Sequence, residues 1–363
     1  MKLCFLASAE SIHSLKWVLF FHKLGYEVTW ISLARSEFVI PSDITYFEII
    51  PSDKVFGLIK CGLLIRDILK KIEPDLLHVH SVGSYGAVSL FSPSSISTVV
   101  TPWGSDIIFG KKNILKKFFI KRCLQRAAVV TCDALHMKKE ILQIVPGAID
   151  KIKIINFGID TQRFCKGSED CGTFLFPFKT RSKIVLSTRN FESVYDLETL
   201  IKAIPLVRSL GGEVHFVLVG SGSQQEYLTR MCEELGVVSE VCFLGRVPND
   251  DLVKILSAAD VYVSTSLSDA GIAASSAEAM SCALPVVLSN TGENNQWISH
   301  GENGFLFPAG DQVELAHTLL KVLQLPLDDQ IELGNRARQT ILDRNDFDTE
   351  MEKVNALYQA ILN

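Results

Sequence analysis

Short apolar, β-branched runs alternate with helical patterns along the first half of the chain. Runs of this kind, separated by helices, are typical of a parallel sheet that is covered on both faces. An amphipathic helix is predicted around 13–24, with further helical patterns between the later runs. The predicted strands are 2–7, 27–32, 76–80, 98–101, 129–131 and 153–155.

The same alternation restarts after an irregular segment, which predicts a second domain. Residues 166–182 carry Gly, Pro and polar residues without periodicity, so we interpret them as a linker between domains at 1–165 and 183–348. A last helix, 349–363, is expected to pack back on the first domain. Strands are predicted at 183–187, 214–219, 240–243, 260–264 and 285–289, and helices at 196–210, 223–235, 249–258 and 274–282.

The predicted fold class is therefore α/β, with two doubly wound Rossmann-like domains facing each other across a cleft. Ligands of such sheets bind at the carboxyl ends of the strands, so we expect the chemistry in that cleft. The length of 363 residues, with 47% hydrophobic and 21% charged residues, suits two globular domains. No apolar run reaches the ~18 residues that cross a bilayer, which argues against an integral membrane protein.

The cysteines and the charge distribution exclude further classes of protein. The nine cysteines are scattered and include no Cys-x-x-Cys pair, which argues against a disulfide framework or a zinc knuckle and favours the cytoplasm. Residues 1–165 carry a net charge of +7 and the rest −12. No nucleic-acid-reading motif accompanies the basic half, so we expect no nucleic acid partner.

The basic stretch 111–122 mixes six cations with four apolar residues that share a stripe on a helix: Ile114, Leu115, Phe118 and Phe119. Each cation adds roughly 1 kcal/mol at an anionic lipid surface, so this stretch predicts peripheral membrane association. The alternative is a solvated helix whose aromatic residues belong to the core.

Two turns in the second half are rich in glycine or other small residues and are therefore candidates for a phosphate site. The run Leu218–Gly222 lacks a third glycine, so at Gly220 an ordinary strand-to-helix turn is favoured over a nicotinamide fingerprint. After the strand at 260–264, a small-residue loop leads into a helix that opens near 272–275, where unpaired N–H groups suit a phosphate. Glu278 lies one turn into that helix. It can accept hydrogen bonds from sugar hydroxyls, or merely complement the helix dipole of a turn that binds nothing.

Several motifs in order resemble the family-4 glycosyltransferases of the GT-B fold. The family hallmark is Glu-x7-Glu-Ala-Met, and its second half is found at 278–280, before a Cys-Ala-Leu-Pro-Val strand. The remaining motifs are Pro-Asp-Leu-Leu-His-Val-His at 74–80, Asn-Phe-Gly-Ile-Asp at 156–160 and Gly-Glu-Asn-Gly at 301–304.

The resemblance implies a retaining transferase that uses a nucleotide-sugar donor, UDP- or GDP-linked, and needs no metal or other cofactor. The departing diphosphate gains negative charge, which fixed cations and dipoles stabilise. In such an enzyme Arg189 neutralises the diphosphate, Glu278 holds the ribose, and Arg246 and Val247 lie by the base. The donor would also be contacted at Gly220, Gly271, Ile272 and Ala273.

Three residues depart from the family pattern. Ala270 stands where the first Glu belongs, and the neighbouring Asp269 is the candidate to touch the sugar hydroxyls instead. Tyr195 replaces a lysine that would add a second cation, although its phenol can donate a hydrogen bond. Ala283 replaces a glycine, which we interpret as a packing change.

The first domain should bind the acceptor, a glycan or a lipid-linked sugar. Trp103 replaces the usual histidine and can stack on a sugar face, or belong to the core. Asp106 either binds acceptor hydroxyls or caps the following turn. His13 and His80 are cleft candidates, with structural histidines as the alternative. His80 joins Arg189 and Asp269 in the predicted catalytic set.

The resulting hypothesis is a transferase of cell-surface polysaccharide, lipopolysaccharide or glycoconjugate biosynthesis. One alternative is a nucleotide-sugar epimerase of similar fold. The other is a decayed transferase that acts as a scaffold, supported by Ala270 and Tyr195 alone.

Overall fold

A computed structural model describes residues 1–53, 56–167, 182–269 and 271–362. The chain forms two compact units, Met1–Phe157 with Thr349–Asn363, and Gly158–Asp348. The domain boundary expected at 165 thus differs from the observed one, since residues 158–165 group with the second unit. The linker predicted at 166–182 lies almost wholly outside the described residues.

The first unit is built on a seven-stranded, fully parallel sheet with the order β3-β2-β1-β4-β5-β6-β7. The apolar runs predicted from the sequence form its buried strands. The strand β3 was not predicted, because it is short and its two half-buried residues, Tyr46 and Phe47, lie between the polar and exposed Thr45 and Glu48. The strands are β1 (Lys2–Leu6), β2 (Glu27–Ser32), β3 (Thr45–Glu48), β4 (Leu76–His80), β5 (Ser97–Thr101), β6 (Val129–Cys132) and β7 (Ile152–Ile154).

Helices lie between these strands and bury their apolar side chains against both faces of the sheet, as doubly wound folds do. They are α1 (Ile12–Lys23), α2 (Phe56–Ile72), α3 (Ser84–Ser89), α4 (Ser105–Gly110), α5 (Ile114–Arg126) and α6 (Leu135–Ile144). No helix of the described residues combines the length and apolarity that crossing a membrane requires.

The second unit repeats the architecture with six parallel strands in the order β10-β9-β8-β11-β12-β13. Its strands are β8 (Lys183–Ser187), β9 (Val214–Val219), β10 (Val241–Gly245), β11 (Val261–Ser264), β12 (Val286–Ser289) and β13 (Phe305–Phe307). Its helices are α7 (Leu197–Ser209), α8 (Gln225–Glu234), α9 (Asn249–Ala258), α10 (Ala274–Ser281), α11 (Asn294–Trp297), α12 (Gln312–Leu323) and α13 (Leu327–Arg344).

The C-terminal helix α14 (Phe347–Leu362) reaches the sheet of the first unit with its last turns. The fully buried Tyr358 lies 4.9 Å from the ring of Phe21 and forms a hydrogen bond with Nδ1 of His78. Nε2 of His78 contacts Oγ1 of Thr101 at 2.6 Å, so both ring nitrogens are satisfied. Burial holds the pKa of His78 well below its usual range, which makes it a neutral structural residue.

Both sheets contain a topological switch point, where the strand order reverses. It lies between β1 and β4 in the first unit and between β8 and β11 in the second. The loops that follow such a pair diverge at the carboxyl edge and leave a crevice for a ligand. Of the candidate site residues, His80 ends β4, and Arg189 and Asp269 follow β8 and β11, whereas Trp103 and Asp106 follow the neighbouring β5.

Candidate functional site

In the second unit, Arg189 lies two residues beyond the end of β8 and is only 8% exposed. Its Nη1 donates to Oγ of Ser275 at 3.2 Å, and its Nη2 donates to Oδ1 of Asp269 at 2.7 Å. Ser275 belongs to the first turn of α10, whose N-cap Ala273 supplies no capping side chain. The first N–H groups of a helix have no intrahelical partner, so a cation and a helix N-terminus meet here, as an anion site requires.

Backbone and hydroxyl contacts join the two loops that carry these residues. The N–H of Leu267 donates to the carbonyl of Val194 at 2.8 Å, and Oγ1 of Thr265 donates to the carbonyl of Tyr195 at 2.9 Å. From a third loop, which follows β12, Gly292 packs so closely that a Cβ there would lie 1.6 Å from the carbonyl oxygen of Asp269. The loop after β8 and the loop after β11 therefore form one preorganised structure.

The buried ion pair between Arg189 and Asp269 leaves two polar atoms unused. Nε of Arg189 and Oδ2 of Asp269 are buried and have no hydrogen-bond partner among the described residues. Unpartnered buried groups are costly, and in native structures each calls for an explanation. A ligand that offers an acceptor to the guanidinium and a hydroxyl to the carboxylate would satisfy both atoms.

Tyr195 and Gly220 have positions that the sequence alone did not indicate. The guanidinium carbon of Arg189 lies 4.1 Å from the ring centroid of Tyr195. A Cβ on Gly220 would lie 2.7 Å from the carbonyl oxygen of Arg189, at a φ of +148°. Gly220 is thus needed for close packing on the Arg189 loop, in line with the ordinary-turn reading. Its predicted donor contact stays a prediction.

The other predicted donor residues lie before or on α10, or follow β10, which is two strands from β8. Gly271, Ile272 and Ala273 lead into α10, and Glu278 is half-buried one turn into it. Ala270 lies outside the described residues. Beyond β10, Nε of Arg246 donates to Oγ of Ser221 at 2.7 Å, and Val247 packs against the core. Their contacts with a donor stay predictions.

In the first unit, His80 ends β4 at the switch point and is 2% exposed. Its ring lies 4.9 Å from that of Trp17, and Nδ1 contacts Oγ of Ser14 at 3.4 Å. Burial, with a smaller contribution from His13, lowers the pKa of His80 to about 3. His80 is therefore neutral near pH 7. Its Nε2 has no partner among the described residues, so it can hydrogen-bond a ligand, and its catalytic role stays a prediction.

Trp103 lies in a small aromatic cluster beside His80. Its ring centroid is 5.8 Å from those of His13 and Phe157 and 5.9 Å from that of His80. The indole Nε1 is buried without a hydrogen-bond partner in the part of the chain that the structure describes. Burial, and then the charge of Lys16, lowers the pKa of His13. The cluster is thus neutral, aromatic and supplied with two unused ring nitrogens.

Asp106 organises the loop that carries Trp103. Its Oδ1 accepts from the N–H groups of Trp103 at 3.0 Å and Ile107 at 2.9 Å, and its Oδ2 accepts from the N–H of Val82 at 2.7 Å. Bonds from backbone N–H groups of its own turn are of the kind that the capping alternative expects. Direct contact between Asp106 and an acceptor stays a prediction.

Several residues of these sites escaped sequence reasoning. In the second unit they are the hydroxyls of Ser266 and Ser275 and the glycine at 292, and in the first unit Trp17 and Phe157. Small residues after a strand are a weak signal, and only the pairing of loops distant in sequence shows their role. No cluster of three or more His, Cys, Asp or Glu suited to a metal occurs among the described residues.

Two family models match the chain. The model described as "Glycosyl transferases group 1" matches residues 175–340, and "Glycosyl transferase 4-like" matches residues 2–134. Together they span most of both units. The chain belongs to the family-4-like glycosyltransferases of the GT-B fold.

Curated relatives and a solved structure agree with this assignment. The transferase is 23% identical to N-acetyl-alpha-D-glucosaminyl L-malate synthase of Bacillus anthracis, over 82% of this chain and 76% of the relative. It is 25% identical to an amylovoran biosynthesis glycosyltransferase of Erwinia amylovora, over 89% of this chain and 91% of that relative. A protein of Anabaena, solved in complex with UDP, matches with a TM-score of 0.82 and 20% identity, covering 99% of this chain and all of that one.

Proposed function

We propose that this glycosyltransferase moves a sugar from a nucleoside-diphosphate donor to a glycan or lipid-linked acceptor with retention of anomeric configuration. The observation that carries the proposal is the meeting of Arg189 with the N-terminus of α10 at the switch point. A buried cation with an unused N–H, placed at a helix N-terminus, suits the phosphates of such a donor.

In the proposed reaction, the bond between the anomeric carbon and the diphosphate oxygen breaks, and the acceptor oxygen bonds to that carbon from the same face. The acceptor proton passes to the departing diphosphate oxygen. Arg189 and the N–H groups of α10 stabilise the charge that develops on the diphosphate, without a metal ion. Oδ2 of Asp269 accepts a hydrogen bond from a donor sugar hydroxyl, Glu278 holds the ribose, and UDP or GDP is the carrier.

UDP is supported over GDP as the carrier by a structural neighbour, since structures of the Anabaena protein have been solved with UDP and with UDP-glucose. An acceptor site in the first unit is supported by the neutral aromatic cluster of His80 and Trp103, which suits the face of a sugar ring. Polysaccharide, lipopolysaccharide or glycoconjugate biosynthesis is the expected context.

The test is a thermal-shift screen of the wild-type chain against UDP, GDP, ADP, CMP and their sugar conjugates. A ligand at ~100 times its dissociation constant adds about 2.7 kcal/mol, which moves the midpoint by several degrees. We expect one nucleotide and its conjugate to stabilise the protein, and transfer to occur with that conjugate. Binding without transfer to any acceptor would favour the scaffold alternative, and conversion of the sugar without acceptor would favour an epimerase.

We further propose that the first unit docks on an anionic membrane through the stretch 111–122. The apolar stripe is exposed, with Ile114 at 87%, Phe118 at 52% and Phe119 at 44%. The alternative in which these aromatic residues belong to the core is therefore wrong. The helix begins later than the stretch, at Ile114 after the N-cap Asn113, and buries only Ile120, Cys123 and Leu124.

Charge favours an anionic lipid as the occupant of this surface. Lys116, Lys117 and Lys121 are exposed beside the apolar stripe, and Arg122 lies 5.4 Å from the ring centroid of Phe118. Of the six cations, Lys111 is paired with Glu140. Apolar insertion and cation attraction at one place are the two signals that stable membrane anchoring requires.

The test is co-sedimentation with phosphatidylcholine vesicles that contain or lack about one third phosphatidylglycerol. We expect binding only to the anionic vesicles, reduced at least tenfold by Lys116→Glu with Lys117→Glu. Lys70→Glu with Lys71→Glu, an exposed pair in the last turn of α2, is the matched control. Equal losses in both double variants would contradict docking through this stretch.

A further inference from the structure

In the second unit, neighbouring side chains contact the Arg189 guanidinium at one face and at both Nη atoms. One face of the guanidinium lies 4.1 Å from the Tyr195 ring centroid. Nη1 donates to Ser275, and Nη2 donates to Ser266 at 3.3 Å and to Asp269 at 2.7 Å. Nε alone has no partner among the described residues, although it is buried.

The net charge of this arrangement is close to zero. Arg189 and Asp269 are 8% and 7% exposed and lie in direct contact, so the carboxylate offsets most of the guanidinium charge at longer range. The position that resemblance to the family would give to a lysine is occupied by the uncharged Tyr195. Binding of a phosphate at this place therefore depends on the geometry of a short hydrogen bond and not on an excess of positive charge.

Tyr195 is itself held in place by the surrounding loops. It ends the 3₁₀ turn Ser193–Tyr195, and its carbonyl accepts a hydrogen bond from Thr265 at 2.9 Å. The carbonyl of the preceding Val194 accepts from Leu267 at 2.8 Å. These bonds place the ring over the guanidinium before any ligand arrives.

We propose that Tyr195 is a positioning residue for the donor phosphate: its ring holds the Arg189 guanidinium in the orientation that presents Nε to a phosphate oxygen. This inference rests on the proposed function and deepens it. A desolvated cation–π contact stabilises by enough to change an equilibrium about tenfold or more. Preorganisation of this kind removes the cost of ordering the arginine when the donor binds.

The experiment compares Tyr195→Phe and Tyr195→Leu by calorimetry with UDP and uridine, and with GDP and guanosine. Phe keeps the ring, so we expect affinity within about twofold of wild type. Leu removes the ring, and we expect about tenfold weaker binding of the nucleoside diphosphate with unchanged binding of the nucleoside. In transfer assays the KM for the donor should rise while the KM for the acceptor stays the same.

Tyr227→Leu is the matched control, because Tyr227 is a 42% exposed tyrosine of the same unit, on α8. It should leave binding unchanged. Equal weakening by Phe and Leu would assign the effect to the phenol hydroxyl and overturn the proposal, as would equal weakening of nucleoside and diphosphate. Wild-type affinity in Tyr195→Leu would overturn the positioning role alone. Failure of the wild-type protein to bind any of the four ligands would overturn the proposed function with it.

Discussion

The switch points of the two units share a topology and differ in chemistry. In the first unit the neutral His80 at the end of β4 lies beside Trp103, which follows the neighbouring β5. In the second, the crevice loops carry the buried ion pair of Arg189 and Asp269 beside a helix N-terminus. Both places bury polar atoms that have no partner among the described residues, including ring nitrogens of His80 and Trp103 in the first unit and Nε of Arg189 and Oδ2 of Asp269 in the second.

The difference shows that the fold determines where a ligand binds, and that the residues near the carboxyl ends of the strands determine which ligand binds there. A doubly wound sheet opens its crevice where the strand order reverses, whatever the sequence there. Aromatic rings with one or two ring nitrogens suit the apolar face and hydroxyls of a sugar, whereas a guanidinium at a helix N-terminus suits a phosphate. The following variants test that contrast.

The largest effect is expected from Arg189→Ala, which removes the cation that donates to Ser275 in the first turn of α10. Hydrogen bonds to charged groups contribute up to about 3 kcal/mol, so donor affinity should fall roughly a hundredfold, measured by calorimetry. The exposed Arg208→Ala is the control. Since Arg189→Ala also leaves Asp269 buried without its cation, adding Asp269→Asn should restore stability and leave binding weak. Near wild-type donor affinity in Arg189→Ala would remove the donor site from this crevice.

Acid should lower the free energy of unfolding through the buried His80. The pKa of His80 is about 3 in the folded protein, below the ordinary 6.5, because burial favours the neutral ring. The unfolded chain therefore binds the extra proton between pH 6.5 and 3, and stability is lost as the pH falls through that window. At pH 5 His80 alone contributes a loss of about 2 kcal/mol, measurable by urea unfolding as the difference between wild type and His80→Gln.

His80→Gln should flatten this dependence, whereas the exposed His317→Gln should not. His78 stays in both variants, and since its pKa is lowered mainly by burial and only secondarily by His80, part of the dependence remains in His80→Gln. Parallel pH profiles for wild type and His80→Gln would show that His80 titrates normally.

Gly292→Ala tests whether the loop of Asp269 must be held in place. Both Gly292 and Gly236 have positive φ, +54° and +63°, so Ala costs about 1 kcal/mol at either position. Only at 292 does the new Cβ meet the Asp269 carbonyl, since nothing lies within 4 Å at 236. We expect several-fold weaker donor binding for Gly292→Ala alone, by calorimetry. The same affinity in both variants would contradict a role for this packing.

The smallest effect is expected from Trp103→Phe, which keeps an aromatic ring and removes the unused indole N–H. A single neutral hydrogen bond contributes about 1 kcal/mol, so the KM for the acceptor should rise about fivefold while the KM for the donor is unchanged. A rise in the donor KM instead would move the ring to the donor side of the reaction.

Much of the fold was predictable because its strands are consecutive apolar runs. The strands at 27–32, 76–80, 183–187 and 214–219 were predicted with the observed bounds. The strand β13 was missed because three residues are too few for any periodicity to appear. Among the site residues, the sequence indicated Arg189 and Asp269 as separate candidates. It did not indicate their contact, since they are 80 positions apart.

The sequence by itself determined the alternation of strands and helices, the family, and the residue types at the carboxyl ends of the strands. Those features are local, so periodicity and motif spacing record them. Only the tertiary structure decided that Tyr195 covers Arg189, that Asp106 caps its turn, and that Phe118 is exposed. Each of these depends on which strands and helices become neighbours, and β8 lies beside β11 through pairing that no local pattern encodes.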